Sequence, residues 1–484
     1  MRALVVLEAL FVASFLAVAA LALFDAEPPL PPIDAAALSV GPTEERWQGI
    51  FVQDAHVGYA VTREAATADG GRVYSGQSAF RIAALGTSQQ IATAGTAITG
   101  PDGKLRTFDF LLSAPTKLTG RGDVRDGSIH VEIAQDGEVR TIDVPVREPP
   151  VLSITLAAQF RGRTLVPGMR FQVPYFDPIT MTNADATLTV ESTELLANGE
   201  SGYWVKTQFG GVEARRLVDA AGDTLREESA MGLRTERMTR DEAMAIDGGE
   251  PPDLVALSAA ELKGTLKNAR DTKVVGLRIA GVEPERIPSE PPLQTRVGDL
   301  VTISVPLLQE LGHLPLAVPE SSPELSPTLS IPSTHPEIVA RAREIVGDAP
   351  DRLVAARRIH DFVFDYLQKV PTIGVPDGLT VLRSGRGDCN EHTALFVSLA
   401  RAAGIPARIA AGLVYSDRLG NAFYYHAWPE VELGGPTGWV PVDPTFGQFP
   451  ADATHLKVVT GDLDKQVQIM ALMGRIRLEL IEAR

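Results

Sequence analysis

The sequence predicts a multidomain chain: an N-terminal transmembrane helix, a large mainly antiparallel β domain shaped as a curved sheet or half-barrel, and a C-terminal α+β domain. Three observations predict it. An apolar run fills residues 3–24, turn-punctuated alternation dominates residues 45–314, and helical apolar spacing sets in after Pro336. At 484 residues the chain exceeds one ordinary hydrophobic core.

The first element is the run from Ala3 to Phe24, interrupted by Glu8 and Ser14. It has about the length of a bilayer-spanning helix. Pro28, Pro29, Pro31 and Pro32 stop it. Arg2 precedes the run and no Lys or Arg follows until Arg46, so residues 1–24 are expected to anchor the chain with its bulk on the extracytoplasmic, periplasmic side. A cleaved signal peptide ending near Ala17-Val18-Ala19 or Ala20-Leu21-Ala22 is the rival reading and exports the chain equally. Residues 25–44 read as a Pro/Ala-rich spacer.

The β-rich region, 45–314, shows short alternating runs such as Phe108 to Leu112 and Ile129 to Ile133. Between them lie turn signals such as Gly100-Pro101-Asp102-Gly103 and Asp126-Gly127. Glycines within the runs suit strong curvature. Residues 315–335, rich in Pro and Ser, read as a linker to a core at 336–462, followed by a helical tail at 463–484. The net charge of −16 argues against a nucleic-acid partner.

Cys389 is the only cysteine, so no internal disulfide can form. Asp388 can cap a helix that begins at Cys389, runs through Leu395, Phe396 and Leu399, and ends at Gly404. That places the thiol at a helix N-terminus, where free N–H groups and the dipole favour thiolate. A strand at 423–433 carries His426, and a hairpin beyond it leads to Asp443. Adjacent antiparallel strands can join the two, so that the carboxylate orients the imidazole.

Three segments carry a family resemblance. They are Gly387-Asp388-Cys389 with its helix and Gly404-Ile405-Pro406-Ala407-Arg408, then His426-Ala427-Trp428-Pro429-Glu430-Val431, then Gly438 to Thr445. In this order and spacing, residues 335–460 resemble the bacterial transglutaminase-like core. The segment Ala453 to Lys457 with Gly461-Asp462 resembles what trails that core. The resemblance implies a papain-like fold with Cys389 as nucleophile, His426 as base and Asp443 as orienting acid. It implies a thioester formed from a peptide or protein amide and resolved by water or an amine, with no cofactor and no metal. One departure is the absence of a Trp just before the cysteine; Tyr366 and Gln368 are candidate second oxyanion donors.

His392, three residues after Cys389, is an alternative base, and Cys389, His392, His426 and Asp443 together are an alternative metal site. Two functional readings follow. One is an exported, membrane-tethered cysteine hydrolase or acyltransferase. The other is an envelope binding or assembly protein whose β region carries the function.

Overall fold

The computed structural model describes residues 32–484 except 85, 115–116, 136, 230–231, 308–310, 317–321, 373–374 and 436–437. The chain divides between Leu254 and Val255 into two compact units.

The first unit is built on a 14-stranded antiparallel sheet from Ser39 to Met238. Eight strands follow as neighbours from Ser39–Val52 to Glu138–Pro145, and six more from Arg170–Asp177 to Leu233–Met238. Strand Ser39–Val52 joins the two runs by pairing with Leu233–Met238. Alternation buries Ile129, Val131 and Ile133 on one face of their strand, as a period of two requires.

Curvature has a visible cause. A Cβ on Gly120 would lie 2.1 Å from the ring of Phe110, and one on Gly122 would lie 2.3 Å from that of Phe108. The two rings occupy space that side chains would otherwise fill, so the neighbouring strand bends over them. Curving brings the sheet's two ends together. Phe108 meets Phe176 at 5.9 Å between ring centroids, Asn183 Nδ2 donates to Pro145 O at 2.9 Å, and Val151 bridges to Tyr175. The expected half-barrel is thus corrected to a nearly closed barrel. Alternation reveals faces, but closure depends on contacts between residues far apart in sequence.

The transmembrane helix expected over residues 1–24 lies outside the described residues. Among the described residues no helix is long and apolar enough to cross a membrane. The expectations of a membrane anchor, and of an extracytoplasmic location resting on it, find no support in the described helices and are withdrawn.

In the second unit, α-helices accompany a nine-stranded sheet among the described residues. Its strand order runs 294–297, 300–304, 274–280, 477–483, 260–263, 422–432, 407–416, 455–460, with 439–441 paired to 422–432. Residues 260–304, grouped in sequence with the β-rich region, supply strands to this sheet. The stretch expected as a helical tail is helical only to Ala471 and ends in strand Arg477–Ala483. Helices Pro336–Val346, Arg352–Tyr366 and Gly378–Ser384 pack around helix Cys389–Ala402. That central helix is apolar nearly all round because it is enclosed: Leu395, Phe396, Val397 and Leu399 have no exposure. Burying each contributes about 2 kcal/mol. The enclosure fixes the position of its first residue, Cys389.

Candidate active site

Helix Cys389–Ala402 starts with a reciprocal cap. Asp388 Oδ1 accepts from Asn390 N at 3.0 Å, and Glu391 Oε2 accepts from Asp388 N at 2.9 Å. Gly387 permits it, since a Cβ there would stand 2.1 Å from Glu391 Cβ. Cys389 is 2% exposed. The Ala427 backbone N–H bonds its sulfur, and Asn390 Nδ2 lies 3.7 Å from it.

His426 sits mid-strand in Ala422–Glu432, opposite Gly412. A Cβ on Gly412 would fall 2.0 Å from Leu456 O, so glycine lets strand His455–Thr460 approach closely on the other side. His426 Nε2 and Asp443 Oδ2 are 2.8 Å apart. A carboxylate only accepts, so Nε2 carries the proton and Nδ1 of the neutral ring holds the lone pair. Nδ1 is buried and has no hydrogen-bond partner. Phe446 stacks on the imidazole at 4.6 Å and 3°.

Asp443 is fully buried and saturated. Its Oδ1 accepts from Thr445 N at 2.7 Å and Phe446 N at 3.0 Å. Its Oδ2 accepts from His426 and also from His455 Nε2, at 3.1 Å. His455 Nδ1 in turn faces Asp452 O at 3.0 Å and Oδ1 at 3.2 Å. Arg270, Gln448 and Thr454 hold Asp452. Asp452 and Arg270 carry no motif signal of their own, and His455 only that of the segment trailing the core; the fold brings all three to Asp443.

Burial and charge set the ionisations. Burial raises Asp443, but His426 and His455 outweigh it and hold the carboxyl well below its usual range. Burial lowers His426 despite Asp443 beside it. The Cys389 thiol is pushed well above its usual value, first by burial and then by Asp388, with Glu391 and Asp443 adding to it. The resting pair is therefore neutral thiol and neutral imidazole. Desolvation outweighs the helix terminus that was expected to favour thiolate.

The alternatives fare differently. His392 Nδ1 donates to Asp388 O at 2.6 Å, and burial lowers the ring to about 4. Its partner is a backbone carbonyl and not a carboxylate. Tyr366 Oη is committed to Leu382 O at 2.6 Å, and Gln368 N donates to Gly385 O. Asn390 Nδ2 is the side-chain donor found at the sulfur. His426, Asp443 and His455 each present a ligand atom within 4.8 Å of one another. Both ring N–H groups point at a single carboxylate oxygen, which fits a hydrogen-bonded array rather than ligands ringed round an ion. A cavity of about 120 Å³ lies against Trp428, Asp452 and His455.

The model of the family described as the Transglutaminase-like superfamily matches residues 339–444. No curated protein matches the chain. Among solved structures, a candidate cysteine protease from Cytophaga hutchinsonii is 16% identical, covers 44% of this chain and 87% of its own, and has a TM-score of 0.29. A β-barrel-like protein of a domain of unknown function from Brucella abortus is 12% identical, with 41% and 95% covered and a TM-score of 0.33. A candidate protease from Parabacteroides distasonis is 13% identical, with 70% and 69% covered and a TM-score of 0.19. Scores this low carry no argument about this chain. The matched segment contains Cys389, His426 and Asp443, and residues 339–444 of this chain are a transglutaminase-like superfamily segment.

Proposed function

We propose that the chain is a cysteine-dependent acyl-transfer enzyme acting on peptide or protein amides. One observation carries this reading. His426 donates through Nε2 to Asp443 and keeps a buried, unpartnered Nδ1, on a strand whose next residue bonds the Cys389 sulfur.

Because the pair rests neutral, attack and proton transfer are coupled. Sγ adds to the substrate carbonyl as its proton passes to His426 Nδ1. Asp443 steadies the imidazolium so formed. Asn390 Nδ2 stands where it can donate to the developing oxyanion. The imidazolium then protonates the departing amine, which leaves a thioester on Cys389. Water or an amine, deprotonated by Nδ1, resolves that thioester and releases the thiol.

The buried sulfur favours a second reading, a binding or assembly protein whose barrel unit carries the function and whose core does no chemistry. Burst kinetics with p-nitrophenyl acetate separate the two. The enzymatic reading expects a burst of one nitrophenolate per chain that vanishes in Cys389→Ala. An identical time course for both proteins would sink it.

A further inference from the structure

We infer that His455 is a positioning residue for the Asp443–His426 pair: it is a buried cation on the far side of the shared carboxylate that keeps His426 neutral and able to act as a base. The inference rests on the assignment of Cys389, His426 and Asp443 given above.

Geometry alone establishes the cation. Both ring nitrogens of His455 face oxygens that can only accept: Asp443 Oδ2 on one side, Asp452 O and Oδ1 on the other. A neutral imidazole has one N–H and would leave one nitrogen lone pair against a carboxylate. The side chain is 2% exposed, so water cannot relieve that clash. Protonation satisfies both contacts. In agreement, the two acids outweigh burial and raise His455 to about 9. The site is built to hold this charge, since Asp452 is itself fixed by Arg270 at 3.2 Å and Gln448 at 2.7 Å.

The consequence falls on His426. The two imidazoles donate to the same oxygen and their centroids are 5.7 Å apart. A carboxylate facing one imidazole would favour the imidazolium strongly; the same carboxylate already neutralised by a cation favours it less. His426 then stays deprotonated at neutral pH, which a base must. Asp443 still receives the proton-bearing ring when catalysis charges it. The other titratable groups near the pair are Arg270, Lys369, His360, His392 and Cys389. Among the groups acting on His426, His455 shares its carboxylate oxygen, and Arg270 adds to its effect.

The test is His455→Gln, which retains a donor and loses the charge. The pH dependence of Cys389 alkylation by iodoacetamide is measured in wild type and variant. The lower limb is expected to move up by about one pH unit in His455→Gln. A merely structural role would lower stability and leave the limb in place. Should the variant not fold, nitrogen-15 NMR of histidine-labelled wild type decides: one imidazole should keep both N–H protons at pH 8. An unmoved limb in a folded variant, or a neutral His455 at pH 7, would overturn the inference. A nitrophenolate burst that survives Cys389→Ala would instead defeat the catalytic assignment itself.

Discussion

Two buried clusters, one in each unit, hold charge in opposite ways. In the barrel cluster, carboxylates are matched with guanidiniums. Glu64, 4% exposed at its side chain, takes two hydrogen bonds from Arg161 at 2.5 and 2.6 Å and one from Arg72 at 2.8 Å. Asp223 is shared by Arg46 at 3.0 Å and Arg237 at 3.4 Å. In the second unit the buried acid Asp443 is flanked by imidazoles, which can lose their charge. The atoms left over are a lone pair on His426 and a thiol held neutral. Guanidinium cannot give up its proton, so the barrel cluster locks shape. Imidazole can, so the second cluster can move protons.

Breaking each cluster sharpens that contrast. The largest effect is expected from Asp443→Asn. It keeps the shape, removes the charge that His426 and His455 share, and lets the amide present N–H to one of them. The rate of thioester formation should fall by about 10³- to 10⁴-fold while the barrel unit unfolds as before. A loss below tenfold would mean that Asp443 does not orient His426.

Glu64→Gln is the matching break in the barrel. It leaves Arg161, Arg46 and Arg72 without their common acceptor and should cost about 2 kcal/mol, seen as a lower denaturation midpoint for that unit. The nitrophenolate burst per folded molecule should not change. A lost burst would show that the barrel cluster takes part in chemistry.

A third comparison uses pH. His455 is raised to about 9, so its stabilisation is complete below the unfolded value near 6.5 and is lost as pH rises towards 9. Denaturant titrations should show the second unit losing about 3 kcal/mol over that window, and His455→Gln should flatten the loss. Asp443 and Asp452 are lowered and act in the other direction, with stability lost as pH falls below about 4. Arginine pairs in the barrel give no slope between pH 6.5 and 9. The smallest effect is expected from Gly120→Ala, whose Cβ meets the Phe110 ring at 2.1 Å. A cost of about 1 kcal/mol, confined to the barrel, would tie its curvature to those glycines.

What could be read in the sequence follows the range of the interactions. The Asp388 cap, the apolar helix and Gly404 are local, so the position of Cys389 was legible. His426 lies in strand Ala422–Glu432 and Asp443 just beyond Trp439–Pro441, the strand paired with it across a short hairpin, so their meeting was legible too. Arg270 reaches Asp452 across 182 residues, and no local pattern reports it. His455 lies in the segment Ala453 to Lys457 that resembles what trails the core, but its role depends on contacts that only the fold makes. The burial that raises the Cys389 thiol was not legible for a related reason: a helix terminus is visible in sequence, whereas burial is a property of packing. Strands 260–263 and 477–483 pair with each other for the same long-range reason, and neither carries a mark of its partner.

The central claim is that Cys389 carries an acyl group. The direct measurement is peptide mapping by mass spectrometry after p-nitrophenyl acetate is mixed with the full chain and quenched in acid during the burst. The account predicts an acetyl thioester on Cys389 in wild type, and its accumulation in Asp443→Asn only at a slowed rate. Turnover of the ester with Cys389 unmodified throughout, or acetylation at other residues alone, would contradict it.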